Sequence, residues 1–173
     1  MKRKKTAPRR ENPKDGSGPA RLWLIRHAQA VDAADDAARP LSKRGRQQIR
    51  ALARFLSASQ ALQPAEIWHS PLVRARETAQ RLAKHLRLDA PLTEVAGLKP
   101  FDDPRVAARR IAALRRDVAI VGHEPHLSAL ASLLVGGAAQ PPVFVLKKCA
   151  TLALERGAAR WAVRWQVSPE LLA

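Results

Sequence analysis

Three short apolar runs, each running straight into a histidine, constrain this chain more than any other feature. Leu22-Trp23-Leu24-Ile25 leads into Arg26-His27, Ile67-Trp68 into His69-Ser70, and Val118-Ala119-Ile120-Val121 into Gly122-His123. Runs this short with a β-former bias read as buried strands. Helical periods separate them. Ser42 reads as an N-cap before Ile49, Leu52, Ala53, Phe55 and Leu56. Ser70-Pro71 reads as a cap and first turn before Val73, Thr78, Leu82 and Leu86. A helix is expected from Pro104 to Arg115 with Val106, Ile111 and Leu114 inward, and another through Leu127, Leu130, Leu133 and Leu134, closed by Gly136-Gly137. Residues 89–104, with three prolines and a glycine, read as an irregular loop. The chain then changes period. Phe144, Leu146, Leu152, Leu154, Trp161, Val163 and Trp165 suggest two or three strands, with Gly157 at a hairpin turn. Strand–helix alternation of this kind predicts an α/β fold with a mostly parallel sheet.

Such folds bind ligands outside the carboxyl ends of their strands, which is where the polar residues fall. Three strand ends therefore direct histidine and arginine to one rim. A phosphoryl-transfer site that works without a metal needs such a set: a nucleophile at neutral pH and cations for the phosphate oxygens. Arginines beside an imidazole lower its pKa and keep it neutral, and guanidinium forks grip phosphate bidentately.

Length and composition set the bounds. The 173 residues fit one domain, and 46% hydrophobic residues suit a globular core. Cys149 is the only cysteine, which excludes an intramolecular disulfide and reads as packing. The net charge is +16, a field that attracts nucleic acid, acidic proteins, polyphosphate or anionic lipid. Residues 1–20 carry seven Lys and Arg against two acidic residues and read as a disordered basic tail, either a binding arm or a solubilising extension; residues 21–173 form the expected domain. With four Trp, three Phe and no Tyr there is no evident stacking platform for single-stranded nucleic acid, so nucleic-acid binding through the tail is not favoured. No apolar run is long enough to span a bilayer, and no apolar region follows the basic start as in a secretory signal. A cytoplasmic protein is expected.

The motifs themselves resemble the histidine phosphatase superfamily. Leu22-Trp23-Leu24-Ile25-Arg26-His27-Ala28 is similar to its Arg-His-Gly signature after the first strand. Ser70-Pro71-Leu72-Val73-Arg74-Ala75-Arg76-Glu77-Thr78 is similar to its second arginine motif, and Val121-Gly122-His123-Glu124-Pro125 to its second histidine motif. Within that superfamily the chain resembles the short phosphohistidine phosphatases of the SixA type, through Arg39-Pro40-Leu41-Ser42 with Gly45 and through Trp165-Gln166-Val167-Ser168-Pro169. The resemblance covers about residues 21–170. It implies a three-layer α/β sandwich of the phosphoglycerate mutase type, with helices on both faces of a central mixed sheet. It also implies hydrolysis of phosphohistidine on a histidine-containing phosphotransfer protein through a phosphorylated enzyme, with neither metal nor other cofactor. Carried over by motif, His27 is the nucleophile, Arg26 and Arg74 hold phosphate oxygens, His123 donates a hydrogen bond to the phosphoryl group, and Arg39 is a further pocket arginine. Ala28, where the signature has glycine, adjoins the substrate.

The family's usual general acid is a carboxylate at a place that Gly97 occupies here, with Glu94 before it and Asp102 and Asp103 after. None is assignable. Loss of an acid would slow hydrolysis of a stubborn phosphate monoester by ~10²–10⁴-fold and matter less for a phosphoimidazole, which leaves readily. That favours phosphohistidine as substrate. Two other readings stay open: a phosphatase of a small ester, nucleotide or polyphosphate with the same mechanism, and a non-catalytic module that binds phosphate or nucleic acid. Glu124, next to His123, either orients the site or repels phosphate. His69 is a rim candidate, while His85 and His126 read as structural or solvated, and Arg76 and Arg81 as a solvated helix face.

Overall fold

The structure is a computed structural model and describes residues 19–172. The reading of residues 1–18 as a tail lies outside them. The packed chain starts slightly earlier than the expected Arg21, since Ala20 is buried and its carbonyl accepts from the Arg156 amide.

The expected strands form. They are β1 (Arg21–Arg26), β2 (Glu66–His69) and, fourth in chain order, β4 (Val118–Gly122). β1 and β4 run parallel, as do β2 and β4. The chain closes with an antiparallel hairpin of β5 (Thr151–Arg156) and β6 (Trp161–Val167), turned at Gly157, whose amide donates to Arg160. β5 pairs antiparallel to β1, which gives a six-stranded mixed sheet in the order β3-β2-β4-β1-β5-β6. β3 (Leu92–Glu94) corrects the reading of 89–104 as loop: it pairs parallel to β2 at the sheet edge. Its short, largely exposed span leaves no apolar pattern to read. Phe144 and Leu146 join no ladder; they lie in an irregular segment and pack into the core cluster that holds Leu127, Leu130, Leu152 and Leu154.

The helices are α1 (Lys43–Ser59), α2 (Val73–Leu86), α3 (Pro104–Ala112) and α4 (His126–Gly136). β1 is pleated, so its side chains alternate between two cores. Trp23 and Ile25 pack with Ile49, Leu52 and Leu56 of α1 and Ala75, Ala79 and Leu82 of α2. Leu22 and Leu24 pack with Ile111 of α3 and Leu127 and Leu130 of α4. The result is the expected three-layer sandwich.

Local departures have local causes. Phe55 is 46% exposed, off the buried stripe of Ile49, Leu52, Ala53 and Leu56. α2 does not begin at Ser70-Pro71. The Ser70 hydroxyl accepts from the Leu72 amide, making a turn ahead of the helix, and Leu72 takes the cap position. α3 ends at Ala112, before Arg115. Ser42 does cap α1, accepting from the Gly45 amide at 3.0 Å. Gly45 is required there for room, because a Cβ would fall onto the Gln29 carbonyl oxygen.

Candidate active site

The sheet register delivers the site. Arg26 on β1 pairs with Gly122 on β4, so the next residues, His27 and His123, emerge side by side at the carboxyl rim. The His27 amide donates to the Gly122 carbonyl at 2.9 Å. The two imidazoles stand 4.9 Å apart between centroids, tilted by 50°. Ser70, just beyond β2, donates its amide to Val121. That hydrogen bond ties in the turn leading to the first turn of α2, where Arg74 sits.

His27 is 4% exposed. Its Nδ1 lies 2.7 Å from the Ala28 carbonyl. A carbonyl only accepts, so Nδ1 carries the proton and Nε2 the lone pair. Burial is the main force holding this imidazole neutral, followed by the charge of Lys148, and together with its other neighbours they push its pKa down to about 2. His123, 1% exposed, is pushed down to about 3 by burial and then by Arg74 and Lys148. Neither of its ring nitrogens has a hydrogen-bond partner among the described residues. Buried polar atoms are normally paired, so this neutral ring retains a donor for an incoming anion.

Arg74 is 5% exposed. Its Nη1 donates to the Asp36 carbonyl oxygen at 2.6 Å, and its Nη2 to the Asp36 carboxylate at 3.0 Å. The Arg26 guanidinium donates to the Leu146 carbonyl at 2.8 Å, while its buried Nε has no partner. Arg39 reaches the same loop, but its donors are taken by the Val31 carbonyl, Asp36 and Asp32. Asp36 therefore bridges two of the arginines read as phosphate holders, and those bonds hold its carboxyl below the usual range.

Ala28 has a different part from the one read in the sequence. It is fully buried and its amide donates to Thr78 Oγ1 at 3.1 Å, so it fixes the His27 ring through its carbonyl rather than offering a donor to substrate. Thr78 in turn donates to the Arg74 carbonyl at 2.6 Å, which locks the His27 turn to α2. Glu77 of the same motif accepts from the Leu41 amide and pins the segment Arg39-Pro40-Leu41-Ser42 to that helix.

Three of the four carboxylates left open by the sequence have structural work. Asp102 accepts from the Lys99 amide, and Asp103 caps α3 by accepting from Arg105. Glu124 accepts from the Ser128 hydroxyl at 2.7 Å in the first turn of α4. Glu94 ends β3, exposed, in register with His69. His69 is buried, with Nδ1 on the Ser70 carbonyl. His126 is buried beside a groove of about 570 Å³ that is lined in part by Phe101, Asp102 and Leu133 and by none of His27, Arg26, Arg74 or His123. Cys149 is fully buried, and burial pushes its thiol up to about 12, which suits packing rather than reactivity. Among the described residues no three His, Cys, Asp or Glu side chains converge as a metal site would need.

Sequence reasoning missed Lys148. Its Nζ lies 3.4 Å from Nε2 of His27. Lysines beside an apolar run read as surface, but one signal was there: a last strand returning antiparallel to β1 starts where β1 ends, so the residues just before it reach the active rim. Ile25 pairs with Thr151, three residues after Lys148.

The arrangement can bind a phosphoryl group among cations opposite an unprotonated imidazole nitrogen. Known proteins agree with that chemistry. Residues 22–102 match the family model of the histidine phosphatase superfamily, branch 1. Phosphohistidine phosphatase SixA of Escherichia coli strain K12 is 28% identical over 153 residues, which span 86% of this chain and 93% of that protein. The structure of the protein histidine phosphatase SixA complexed with tungstate superposes with a TM-score of 0.80 at 25% identity, covering 88% of this chain and 99% of that one. The alpha-ribazole phosphatase of Shigella flexneri shares the fold, with a TM-score of 0.69 at 20% identity over 86% of this chain and 96% of its own. With its motifs assembled at one rim of the sheet, the chain resembles members of the histidine phosphatase superfamily.

Proposed function

We propose that this protein is a phosphohistidine phosphatase in which His27 takes the phosphoryl group covalently. The observation that carries the reading is the state of His27: Nδ1 committed to the Ala28 carbonyl, and Nε2 unprotonated and turned to the cationic rim. In the first step Nε2 attacks phosphorus and the P–N bond to the substrate imidazole breaks. In the second, water attacks phosphorus and the P–Nε2 bond breaks, returning neutral His27 and inorganic phosphate. Arg26 and Arg74 balance the charge on the phosphoryl oxygens, and His123 donates one hydrogen bond. Asp36 yields its hold on Arg74 as phosphate enters, because an anion of higher charge competes for the same guanidinium fork.

The substrate class follows from the missing acid. Asp102, Asp103 and Glu124 accept from backbone or hydroxyl donors and Glu94 ends β3 exposed, so none is assigned as an acid and a leaving group that departs readily suits this site best. The partner is therefore a phosphorylated histidine-containing protein of a signalling relay. The test is phosphate release from a phosphohistidine-bearing phosphotransfer domain, beside p-nitrophenyl phosphate, in EDTA. Fast release from the protein substrate is expected. Turnover of the small ester alone would move the substrate class, and turnover of neither would leave a phosphate-binding module.

A further inference from the structure

We propose that Lys148 is a further catalytic residue: its ammonium, which lies against Nε2 of His27 in this structure, transfers its hydrogen bonds to an oxygen of the phosphoryl group as that nitrogen attacks. The inference rests on the phosphatase reading above and adds to it a cation that no motif supplies. A phosphorus atom bonded to Nε2 brings its oxygens within hydrogen-bond reach of an ammonium that is already 3.4 Å from that nitrogen.

The backbone holds Lys148 in place. The Cys149 amide donates to the His27 carbonyl at 3.2 Å, and the Arg26 amide to the Ala150 carbonyl at 3.0 Å. The Ala150 amide closes the turn on Lys147, and the Arg26 guanidinium holds Leu146. The turn passes through Cys149 at φ +62, a left-handed conformation that is strained for a non-glycine residue. The turn that carries the lysine is thus tied by backbone hydrogen bonds to the end of the strand that leads into the nucleophile.

The charge around Lys148 has no stabilising purpose of its own. Arg26 from β1, Arg74 from α2 and Arg39 from the loop before α1 all repel it, His27 and His123 stand beside it, and Asp36 is the carboxylate that opposes this repulsion. Burial first, and then the arginines, lower its pKa to about 8. A cation gathered among cations raises the energy of the site until an anion arrives, which is the arrangement expected of a binding site rather than of a structural ion pair.

Lys148→Met and Lys148→Arg test the assignment. Kinetics use the phosphohistidine domain, and binding uses tungstate, a dianion throughout pH 7–9. Lys148→Met is expected to lose about 10²-fold in kcat/KM and about tenfold in tungstate affinity, while Lys148→Arg keeps most of both. Wild-type tungstate affinity should fall as pH rises through about 8, where the ammonium is lost, and Lys148→Met should lack that fall. Tungstate binding within twofold of wild type in Lys148→Met, with the alkaline fall retained, would overturn the proposal. If Lys148→Met fails to fold, the wild-type pH profile and Lys148→Arg decide: an absent alkaline fall overturns it. If the wild type turns over no substrate, the phosphatase reading fails by itself, and the tungstate measurements still judge Lys148.

Discussion

The two rims of the sheet use their charged side chains in different ways. At the amino ends of the parallel strands each cation has a partner. Arg21 meets Asp117 through its backbone amide at 2.7 Å and its Nε at 2.9 Å. Arg116 meets Glu66, which also accepts from Thr93. Arg156 donates to carbonyls at the end of α3 and lies over Trp161. At the carboxyl ends Arg26, Arg74, Arg39 and Lys148 converge, and Asp36 is the carboxylate that bridges two of them. Two neutral imidazoles stand in their midst, one with no hydrogen-bond partner among the described residues. Paired charge closes off the fold at one rim. Excess positive charge gathers at the other, where an anion would lower the repulsion.

Breaking the carboxyl rim should cost activity and leave stability. His27→Ala is expected to lose at least about 10⁴-fold in phosphate release, as for other enzymes stripped of a covalent nucleophile. Its melting temperature should stay near or slightly below wild type at pH 7, since the change loses the Nδ1 hydrogen bond and leaves a small cavity. Arg74→Ala should lose about 10²–10³-fold in kcat/KM, read from steady-state kinetics on the same phosphohistidine domain.

Acid sharpens the comparison. His27 and His123 have folded pKa values near 2 and 3, against an unfolded value near 6.5. Between those limits the unfolded chain binds more protons, so stability is full above about pH 6.5 and falls as pH drops below it. The expected slope approaches 1.4 kcal/mol per pH unit for each histidine. Urea titrations at pH 7, 6 and 5 would show it, and His123→Asn should remove its share.

At the amino rim the signs reverse. Asp117→Ala should destabilise by about 1–3 kcal/mol through the stranded Arg21 donors, and leave kcat/KM within about twofold. Asp36→Asn should have the smallest effect, a two- to fivefold tighter binding of tungstate by calorimetry, since the loop carboxylate no longer competes for Arg74 and Arg39.

What the sequence makes legible is what local pattern encodes. β1, β2 and β4 are short apolar runs because helices cover both faces of the sheet there, and their ends name His27, Arg26, Arg74 and His123. β3 is held by its ladder to β2 rather than by burial, so it leaves no trace in composition. Ser70-Pro71 imitates a helix start because the same hydroxyl-to-amide bond builds a turn. Lys148 and Asp36 reach the site through partners 121 and 38 residues away, and no motif carries such a separation. Arg39 stands as Arg74 does: its motif predicts a phosphate holder, and a loop carboxylate holds its guanidinium in this structure.

The most direct test of the account is the site of phosphorylation during turnover. Wild-type protein mixed with a ³²P-labelled phosphohistidine domain and quenched in alkali should carry acid-labile, alkali-stable phosphate on His27, with none formed in His27→Ala. Label on His123 or on another residue, or rapid phosphate release with no labelled enzyme at any quench time, would contradict it.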